Sequence, residues 1–333
     1  MPPLVSILIP AYNAERWIAE TLKSALAQTW PRKEIIVVDD GSRDGTLAVA
    51  QKFAGPGITI VTQKNAGAAA ARNHALRLSR GDYVQWLDAD DLMSPDKIAL
   101  QMTVAEGAAD KRVLYSTGWG RFMFRVHAAQ SSPNELWADL TPREWLTYKL
   151  ERNLFLPVSS WLVSRELGEA AGPWDERLSL DDDGEYFCRV IRASSRIQFV
   201  PGVKFFYRMS GFGSMSNVHP SDKKLESLWL SQRLQISYLR GLEESERTRA
   251  AGVKYLGNWL LHYYPWRMDL IAAAQGLAAE LGGRLELPRV RSKYTVIERL
   301  FGYRQAVRAQ AFLPNCKAAV VRAGDWLQYK LGR

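Results

Sequence analysis

Three acidic clusters carry the residue types that could do chemistry in this chain of 333 residues. Carboxylates at positions i and i+2 beyond a buried strand can meet around one hard cation such as Mg²⁺ or Mn²⁺, which binds oxygen ligands and bridges to phosphates. Consecutive carboxylates can also supply a general base, or can simply begin a solvated helix that its dipole favours. The three clusters are Asp88-Ala89-Asp90, Asp39-Asp40 and Asp181-Asp182-Asp183.

Short apolar runs alternate with helical patterns over the first 120 residues and must position these acids. We predict strands over residues 5–9, 35–38, 58–61 and 83–87, and helices over 15–28, 67–78 and onward from 95. Such runs suit strands buried on both faces of a parallel sheet, and their alternation with helices indicates an open α/β sheet. Ligands bind at the carboxyl ends of the strands in that architecture, where two of the acidic clusters fall.

Four segments share an order and spacing that is more specific than any one motif. They are Val5 to Asn13, Ile35 to Ser42, Asn65 to Asn73 and Gly81 to Asp91. Together they resemble the inverting family 2 glycosyltransferases, and the resemblance covers about residues 4–215. It implies a GT-A type α/β fold with a mainly parallel open sheet flanked by helices. It also implies transfer of a sugar, most often from a UDP-sugar, to an acceptor hydroxyl with inversion.

The resemblance implies roles for residues on the donor side. Tyr12 would lie near the nucleobase, Asp40 would hydrogen-bond a uracil ring, and Asp90 would bind Mn²⁺ or Mg²⁺ directly. Asp88 would lie near the ribose or the water shell of the metal, whereas Arg72 would pair either with the diphosphate or with acids of the strand edge. The nucleotide-side set is Pro10, Ala11, Tyr12, Asn13, Asp39, Asp40, Asn65, Gly67, Arg72, Asp88, Ala89 and Arg208, and the metal ligands are Asp90 and Asp88.

The acceptor side of the resemblance is the segment from Gly172 to Arg189, in which an acidic pair precedes a helix that carries an acid and then an arginine. The distance to Arg189 points to Asp183 as the general base, but Asp182 is one residue away and remains an alternative. Residues 207–216 match a loop that folds over the diphosphate, where Arg208 could offset leaving-group charge. This chain lacks the histidine that many relatives carry there, so a third protein ligand to the metal is not expected.

The net charge of +9 is concentrated in residues 281–333, which hold eleven Lys and Arg and three acids. Aromatic side chains lie among these charges, which is typical of a surface for an anionic partner, although a solvated helical face has the same composition. We expect a saccharide or lipid-linked acceptor and peripheral contact with an anionic membrane, and no nucleic acid. We predict a catalytic domain over residues 1–220 and a helical, basic C-terminal extension over 221–333.

The composition of the chain predicts a cytoplasmic protein, with peripheral association with the inner face of the membrane as a further possibility. Two cysteines make no disulfide framework, and neither a signal peptide nor a membrane-spanning run is expected. Other functions lack their motifs: a nucleotidyltransferase or a dinucleotide-binding oxidoreductase would need a glycine-rich loop after the first strand, and no nucleophile elbow accompanies the four histidines. The remaining alternative is an inactive nucleotide-sugar-binding or membrane-surface adaptor protein.

Overall fold

The computed structural model describes residues 1–209, 221–287 and 289–331, and only the backbone of residues 203 and 311–320. Its first sheet has five strands in the order β3-β2-β1-β4-β8. These strands are β1 (Val5–Ala11), β2 (Lys33–Asp39), β3 (Ile58–Thr62), β4 (Tyr83–Trp86) and β8 (Val163–Ser164). The first four pair in parallel, and β8 pairs antiparallel with β4. The predicted mainly parallel sheet is confirmed.

Helices connect these strands in the predicted alternation. They are α1 (Ile18–Leu26), α2 (Thr46–Gln51), α3 (Ala68–Leu78) and α4 (Lys97–Glu106). The α1 helix buries Ile18, Leu22 and Ala25 at helical spacing. It begins at Ile18 and not at Glu15, because Glu15 is drawn out of the helix: its Oε2 accepts a hydrogen bond from the Gly45 N–H at 3.0 Å. That contact joins residues 30 positions apart, so periodicity could not reveal it.

A second sheet of four strands, in the order β5-β9-β6-β7, stands beside the first and was not predicted. Its strands are β5 (Leu92–Met93), β6 (Val113–Phe122), β7 (Gln130–Ser131) and β9 (Arg196–Arg208). The long pair β6 and β9 is parallel, with Val113 opposite Arg196 and Phe122 opposite Arg208. The sequence shows no alternation there because β6 is buried along almost its whole length. This sheet brings the end of β9 to the loop that follows β4.

Three helices lie between β7 and β9 in the sequence: α5 (Pro142–Arg152), α6 (Arg165–Ala171) and α7 (Asp182–Ala193). The start of α5 is fixed by a capping box, in which the Thr141 hydroxyl accepts from the Glu144 N–H and the Glu144 carboxylate accepts from the Thr141 N–H. The α7 helix starts at the acidic triplet, and its N-cap residue Asp181 has a φ of 59°. The triplet therefore lies at the amino end of a buried helix.

The C-terminal part is helical, as predicted: α8 (Asp222–Leu242), α9 (Glu246–Tyr263), α10 (Met268–Glu280), α11 (Thr295–Phe301) and α12 (Tyr303–Lys330). The α8 helix packs on α7 and α9 packs on α5, so their apolar side chains continue the main core. A small separate core joins Val290, Tyr294, Ala306 and Val307. The division at residue 220 stays a prediction, but the shared core ties residues 222–285 to the catalytic part. Within the described ranges, each helix is too short or too polar to cross a membrane.

Candidate donor and acceptor site

Asp40 follows β2 and holds the loop that precedes α3. Its Oδ1 accepts hydrogen bonds from Gln63 Nε2 at 2.8 Å and from the Ala66 N–H at 2.9 Å. Its Oδ2 accepts from Asn65 Nδ2 at 3.0 Å and from the Gly67 N–H at 2.8 Å. Four donors fill the acceptor sites of a carboxylate. The expected hydrogen bond from Asp40 to a uracil ring therefore has no acceptor left, and Asp40 instead fixes the shape of this loop.

The neighbouring Asp39 keeps one oxygen without a donor. Its Oδ2 accepts from Thr62 Oγ1 at 2.9 Å and from the Ser42 N–H at 3.4 Å, whereas Oδ1 is buried with no hydrogen-bond partner in the part of the chain that the structure describes. A buried carboxylate oxygen without a donor is costly, so a ligand N–H would stabilise it. The geometry favours Asp39 over Asp40 as the residue that contacts a nucleobase.

The first loop of the predicted pocket, Pro10 to Asn13, is coupled to the loop after β2. Asn13 has a φ of 49°, and its Oδ1 accepts from the Arg43 N–H at 2.9 Å. The carbonyl of Ala11 accepts from the Asp40 N–H at 2.8 Å. The Tyr12 side chain is 46% exposed at the carboxyl edge of the sheet, so its ring is available to a ligand. These contacts hold the two loops as one unit.

Asp88 and Asp90 lie on the loop after β4. Asp88 Oδ1 accepts from Arg72 Nη2 at 2.9 Å, and the Asp88 side chain is 32% exposed. Burial raises the pKa of Asp90 to about 6, the charge of Asp88 adds to the shift, and Arg208 opposes it. A bound cation would relieve this repulsion, and carboxylate oxygens are the ligands that Mg²⁺ and Mn²⁺ prefer.

Of the three carboxylates on this loop, Asp88 and Asp90 are the candidates to bind such a cation, because Asp91 is buried and accepts from the Arg208 N–H. No three His, Cys, Asp or Glu side chains converge on one point within residues 1–209, 221–287 and 289–331. Mg²⁺ commonly binds through one or two carboxylates, with substrate phosphates and water as its other ligands. The pair Asp88 and Asp90 therefore fits an ion that is completed by a bound diphosphate.

Arg208, at the end of β9, supports this loop from behind. Its Nε donates to the Asp90 carbonyl at 2.6 Å, and its backbone N–H donates to Asp91 Oδ1 at 2.8 Å. The guanidinium lies 4.3 Å from the centroid of the Trp17 ring, and its Nη2 donates to Glu20 Oε2 at 2.6 Å. The side chain is fully buried, and its Nη1 has no partner among the described residues. Its predicted role in offsetting leaving-group charge stays a prediction, whereas its contacts with the loop are direct.

Arg72 of α3 joins the donor side to the acceptor side. Its Nη1 donates to Asp182 Oδ2 at 2.6 Å, and its Nη2 donates to Asp88 Oδ1 at 2.9 Å. The guanidinium lies 4.4 Å from the centroid of the Trp174 ring, which stacks in turn on Tyr186 at 3.9 Å. Of the two predicted alternatives for Arg72, the structure shows the pairing with acids. The side chain is buried, so this ion pair is shielded from water.

The acidic triplet resolves into three different environments. Asp181 Oδ2 accepts from Ser231 Oγ at 2.8 Å and from Gln235 Nε2 at 2.7 Å, which are groups of α8. Burial raises the pKa of Asp182 to about 6, and Arg72 opposes that shift. Asp183 is partly exposed, and its Oδ1 accepts from the Gly184 N–H at 2.9 Å. Asp181 and Asp183 are both partly exposed, but the side chain of Asp181 is held by α8, whereas Asp183 accepts only from the neighbouring Gly184 N–H among the described residues.

Tyr207 precedes Arg208 in the segment that matches the diphosphate loop, and no role was predicted for it. Burial raises the pKa of Tyr207 above its usual range, and the charges of Asp91, Asp90, Asp88 and Asp183 raise it further. The charges of the acids after β4 and of Asp183 therefore act on the same phenol. A phenol that stays protonated can donate a hydrogen bond there. Its position before Arg208 was the available signal, but only the pairing of β9 with β6 shows where the ring lies.

An aromatic surface adjoins Tyr207. The ring centroid of Trp119 lies 5.9 Å from that of Tyr207 and 5.3 Å from that of Phe155. Trp119 is buried, whereas Phe155 is 47% exposed. The Arg121 guanidinium lies 5.2 Å from the Trp119 centroid. The predicted loop over the diphosphate continues from here, but its residues 210–216 lie outside the described residues.

Comparison with known proteins identifies the family. The model of the family named Glycosyl transferase family 2 matches residues 6–158. The uncharacterized glycosyltransferase RP339 of Rickettsia prowazekii is 30% identical over 233 residues, which make up 68% of this chain and 70% of that protein. The chain belongs to glycosyltransferase family 2.

Other relatives of this family 2 glycosyltransferase match over shorter lengths. The uncharacterized glycosyltransferase RT0329 of Rickettsia typhi is 32% identical over 199 residues, which are 58% of this chain and 60% of that protein. The putative teichuronic acid biosynthesis glycosyltransferase TuaG of Bacillus subtilis is 44% identical over 103 residues, which are 30% of this chain and 41% of that protein. The chain therefore spans less than two thirds of the length of these two relatives.

Solved structures show the same fold at low sequence identity. S. aureus TarS 1–349 in complex with UDP-GlcNAc has a TM-score of 0.66 and 18% identity, and the match covers 92% of this chain and 91% of that one. The mannosyltransferase PcManGT from Pyrobaculum calidifontis, in complex with GDP-Man and Mn²⁺, has a TM-score of 0.55 and 22% identity over 98% and 88% of the two chains. The predicted GT-A fold of this glycosyltransferase is confirmed.

Proposed function

We propose that this chain is an inverting glycosyltransferase that uses a divalent metal ion and moves a sugar from a nucleoside diphosphate, UDP first among the candidates, to an acceptor hydroxyl. One observation carries the proposal: Arg72 binds Asp88 at the donor edge and Asp182 at the start of α7 with a single buried guanidinium. A donor that rests on the Asp88 loop would therefore lie beside the carboxylate next in sequence to Asp182. That juxtaposition of a diphosphate site and a base is what sugar transfer requires.

Asp183 is the proposed general base. Asp182 is committed to Arg72 at 2.6 Å, whereas Asp183 has solvent access and lies in the first turn of α7, whose dipole favours negative charge. The acceptor oxygen would form a bond to the anomeric carbon while the bond from that carbon to the diphosphate oxygen breaks. Asp183 would take the acceptor's proton, and the nucleoside diphosphate would leave. Attack opposite the leaving group gives inversion.

Asp90 and Asp88 would hold the metal ion, Mn²⁺ or Mg²⁺. Their fit rests on two carboxylates on one loop and on the raised pKa of Asp90, and it agrees with the Mn²⁺ of the related PcManGT structure. When bound, such an ion supplies positive charge to a departing diphosphate. Arg208 would keep the loop in place through its bond to the Asp90 carbonyl.

Nucleobase recognition is assigned here to Asp39 and Tyr12. The unpartnered Oδ1 of Asp39 would accept the imide N–H of a uracil or thymine, and the exposed Tyr12 ring would stack on the base. Asp40, Asn65 and Gly67 would act by shaping the loop and not by touching the base. UDP-sugars are the first candidates and TDP-sugars the second.

The acceptor is proposed to be a saccharide or a lipid-linked saccharide. Phe155 exposes an aromatic face beside Tyr207 and Trp119, and a sugar ring could pack on that face with its hydroxyl directed at Asp183. The name of the relative TuaG supports synthesis of a surface polysaccharide. The geometry of this face therefore suits an acceptor ring better than a small alcohol.

The C-terminal helices are proposed to contact an anionic membrane. Leu300 and Phe301 of α11 are 69% and 68% exposed among basic residues, a combination that binds anionic lipid surfaces. Flotation with anionic and zwitterionic vesicles tests this on the full chain. The double variant Leu300→Glu/Phe301→Glu should lose binding to anionic vesicles. The control Gln305→Glu/Gln328→Glu introduces the same change in charge at exposed positions and should lose less of that binding. Equal loss in both variants would contradict a hydrophobic contribution.

Calorimetric titration tests the donor site, with UDP, TDP and GDP, with and without Mn²⁺, on the wild type, Asp90→Ala and Asp96→Ala. We expect one diphosphate to bind in a metal-dependent way and the binding to collapse in Asp90→Ala. Asp96 is exposed at the start of α4, so Asp96→Ala should bind as the wild type does. A folded wild-type protein that binds none of the three would refute the proposed donor class.

Transfer assays on Asp183→Asn test the base. The variant should bind donor like the wild type but transfer sugar about 10²–10⁴-fold more slowly, which is the usual contribution of a general base. The matched variant Asp175→Asn removes a carboxylate that is paired with Arg177, away from the triplet, and should retain transfer. Donor binding with no transfer in the wild type would instead favour the alternative function, an inactive nucleotide-sugar-binding adaptor.

A further inference from the structure

The last turns of α12 return to the catalytic part of the chain and contact the segment after β6. Asp325 Oδ2 accepts from the Phe124 N–H at 2.9 Å, and Asp325 Oδ1 accepts from Arg125 Nε at 2.8 Å. Tyr329 lies one turn further on, and its ring centroid is 5.9 Å from that of Phe124. More than 200 residues of sequence separate the two sides of this contact.

Two routes lead from Tyr329 to the arginine behind the donor loop. In the first, the Tyr329 hydroxyl donates to Glu20 Oε1 at 3.4 Å, and Glu20 Oε2 accepts from Arg208 Nη2 at 2.6 Å. In the second, Phe124 lies between Tyr329 and Trp17, with a centroid distance of 5.8 Å to Trp17, and Trp17 packs on the Arg208 guanidinium. Both routes end on the same side chain.

Arg208 is the element that could transmit this docking. Its guanidinium forms an ion pair with Glu20 at 2.6 Å, and its side chain is fully buried. It reaches the metal-side loop directly, because its Nε donates to the Asp90 carbonyl and its backbone N–H to Asp91. A change in Glu20 or Trp17 would therefore alter the support of Asp90 without touching a ligand.

The two ends of α12 are held differently. The start of the helix packs into the small core through Ala306 and Val307. At the far end, Asp325 and Tyr329 contact the segment after β6, while Trp326 and Leu327 on the same turns are exposed. Polar and ring contacts of Asp325 and Tyr329 hold the far end, with the Asp325–Arg125 pair at 2.8 Å and the Tyr329–Glu20 hydrogen bond at 3.4 Å, whereas packed apolar side chains hold the start. The far end can thus leave its site while the start of the helix stays in place.

We propose that the C-terminal end of α12 is a latch: when it docks through Asp325 and Tyr329, it holds Glu20 and Arg208 against the Asp88–Asp91 loop and completes the donor site. The word donor rests on the proposed function, but the docking and its effect on the loop do not. Asp325, Tyr329 and Glu20 are positioning residues in this scheme, since none of them touches the substrate. Undocking would loosen the loop and weaken donor binding.

Hydrogen–deuterium exchange on the full chain tests the latch without any ligand. In Asp325→Ala and Tyr329→Ala, amides of α12 after residue 320 and of residues 88–93 should exchange faster than in the wild type, by about threefold or more. Gln328 is exposed on the same turns, so Gln328→Ala should exchange as the wild type does. Faster exchange in α12 with no change at residues 88–93 would overturn the proposal. Unchanged exchange in α12 would also overturn it, because Asp325 and Tyr329 would then not hold the helix.

Titration with UDP and Mn²⁺ measures the effect on the site. The latch variants should raise the dissociation constant about fivefold, a usual size for coupling between sites, and should raise donor KM more than they lower kcat. In a Glu20→Ala background, Tyr329→Phe should add almost nothing, because the hydroxyl acts through Glu20; additive losses would contradict this route. Failure of the wild type to bind any of UDP, TDP or GDP would refute the proposed function, and the exchange experiment would still decide the latch.

Discussion

Arg72→Met should be the most destabilising single change at the site, because it removes the counter-ion of buried carboxylates and keeps only an unbranched apolar side chain. Arg72 donates at 2.6 Å to Asp182, which is buried, and at 2.9 Å to Asp88, which is one-third exposed. Breaking a buried pair by removing one partner costs about 3–5 kcal/mol. Most of that cost should come from Asp182, since Asp88 can turn to water. We therefore expect the free energy of unfolding to fall by about 3–5 kcal/mol.

Urea unfolding at pH 7, followed by tryptophan fluorescence, measures this loss, and two further variants locate its cause. Arg72→Met/Asp182→Asn removes the stranded charge and should recover about half of the loss or more. Arg77→Met lies on an exposed turn of the same helix and should change the free energy by about 0.5 kcal/mol or less. If Arg72→Met unfolds within about 1 kcal/mol of the wild type, or if Asp182→Asn restores nothing, Arg72 is not the buried counter-ion that the geometry indicates.

Three other changes separate the roles of neighbouring residues. Asp39→Asn should weaken UDP binding by roughly tenfold and leave the free energy of unfolding almost unchanged, whereas Asp40→Asn should lower the free energy of unfolding by about 1–3 kcal/mol because two N–H donors of the loop lose their acceptor. Calorimetry measures the binding and urea unfolding measures the stability. The reverse pattern would indicate that Asp40, and not Asp39, contacts the base. Burial raises the pKa of Asp181 to about 6, so its contribution to stability is present below the unfolded pKa near 3.9 and is lost as the pH rises through 6. Asparagine tolerates the positive φ at position 181, so Asp181→Asn should have a free energy of unfolding about 1–3 kcal/mol above that of the wild type at pH 7.5, and this difference should shrink towards pH 4. A difference that does not depend on pH would contradict this reasoning. Phe155→Ala should raise the acceptor KM about threefold or more with donor affinity unchanged, in transfer assays, and an equal change in donor KM would refute an acceptor-side role.

Local patterns were sufficient where a residue's role depends on its neighbours in sequence. The apolar runs at 5–9, 35–38 and 83–87 appear as β1, β2 and β4, and the helix predicted over 67–78 appears as α3 over 68–78. The alternation of strands and helices placed Asp39 and Asp88 at one sheet edge, since parallel strands share the direction of their carboxyl ends. The resemblance to family 2 rested on the same local segments, and the family is confirmed.

Contacts between distant segments could not be predicted in this way. The second sheet depends on β6 pairing with β9, and a buried parallel strand has no alternation that would reveal it. The start of α1 follows a turn whose Glu15 side chain bonds to Gly45, and the proposal of Asp39 instead of Asp40 as the base contact depends on the loop at Gln63 to Gly67. Each of these outcomes is set by a partner that lies many residues away.

The sequence by itself determined the family, the sheet edge and the acids that lie there, because β-strand burial and motif spacing are written in neighbouring residues. Only the tertiary structure showed which carboxylates already have hydrogen-bond or ion-pair partners. Arg72 forms an ion pair with Asp182, and four donors occupy the oxygens of Asp40. Asp183 stays partly exposed to solvent. Hydrogen-bond capacity is limited, so the function of each acid depends on which distant donors the fold brings to it.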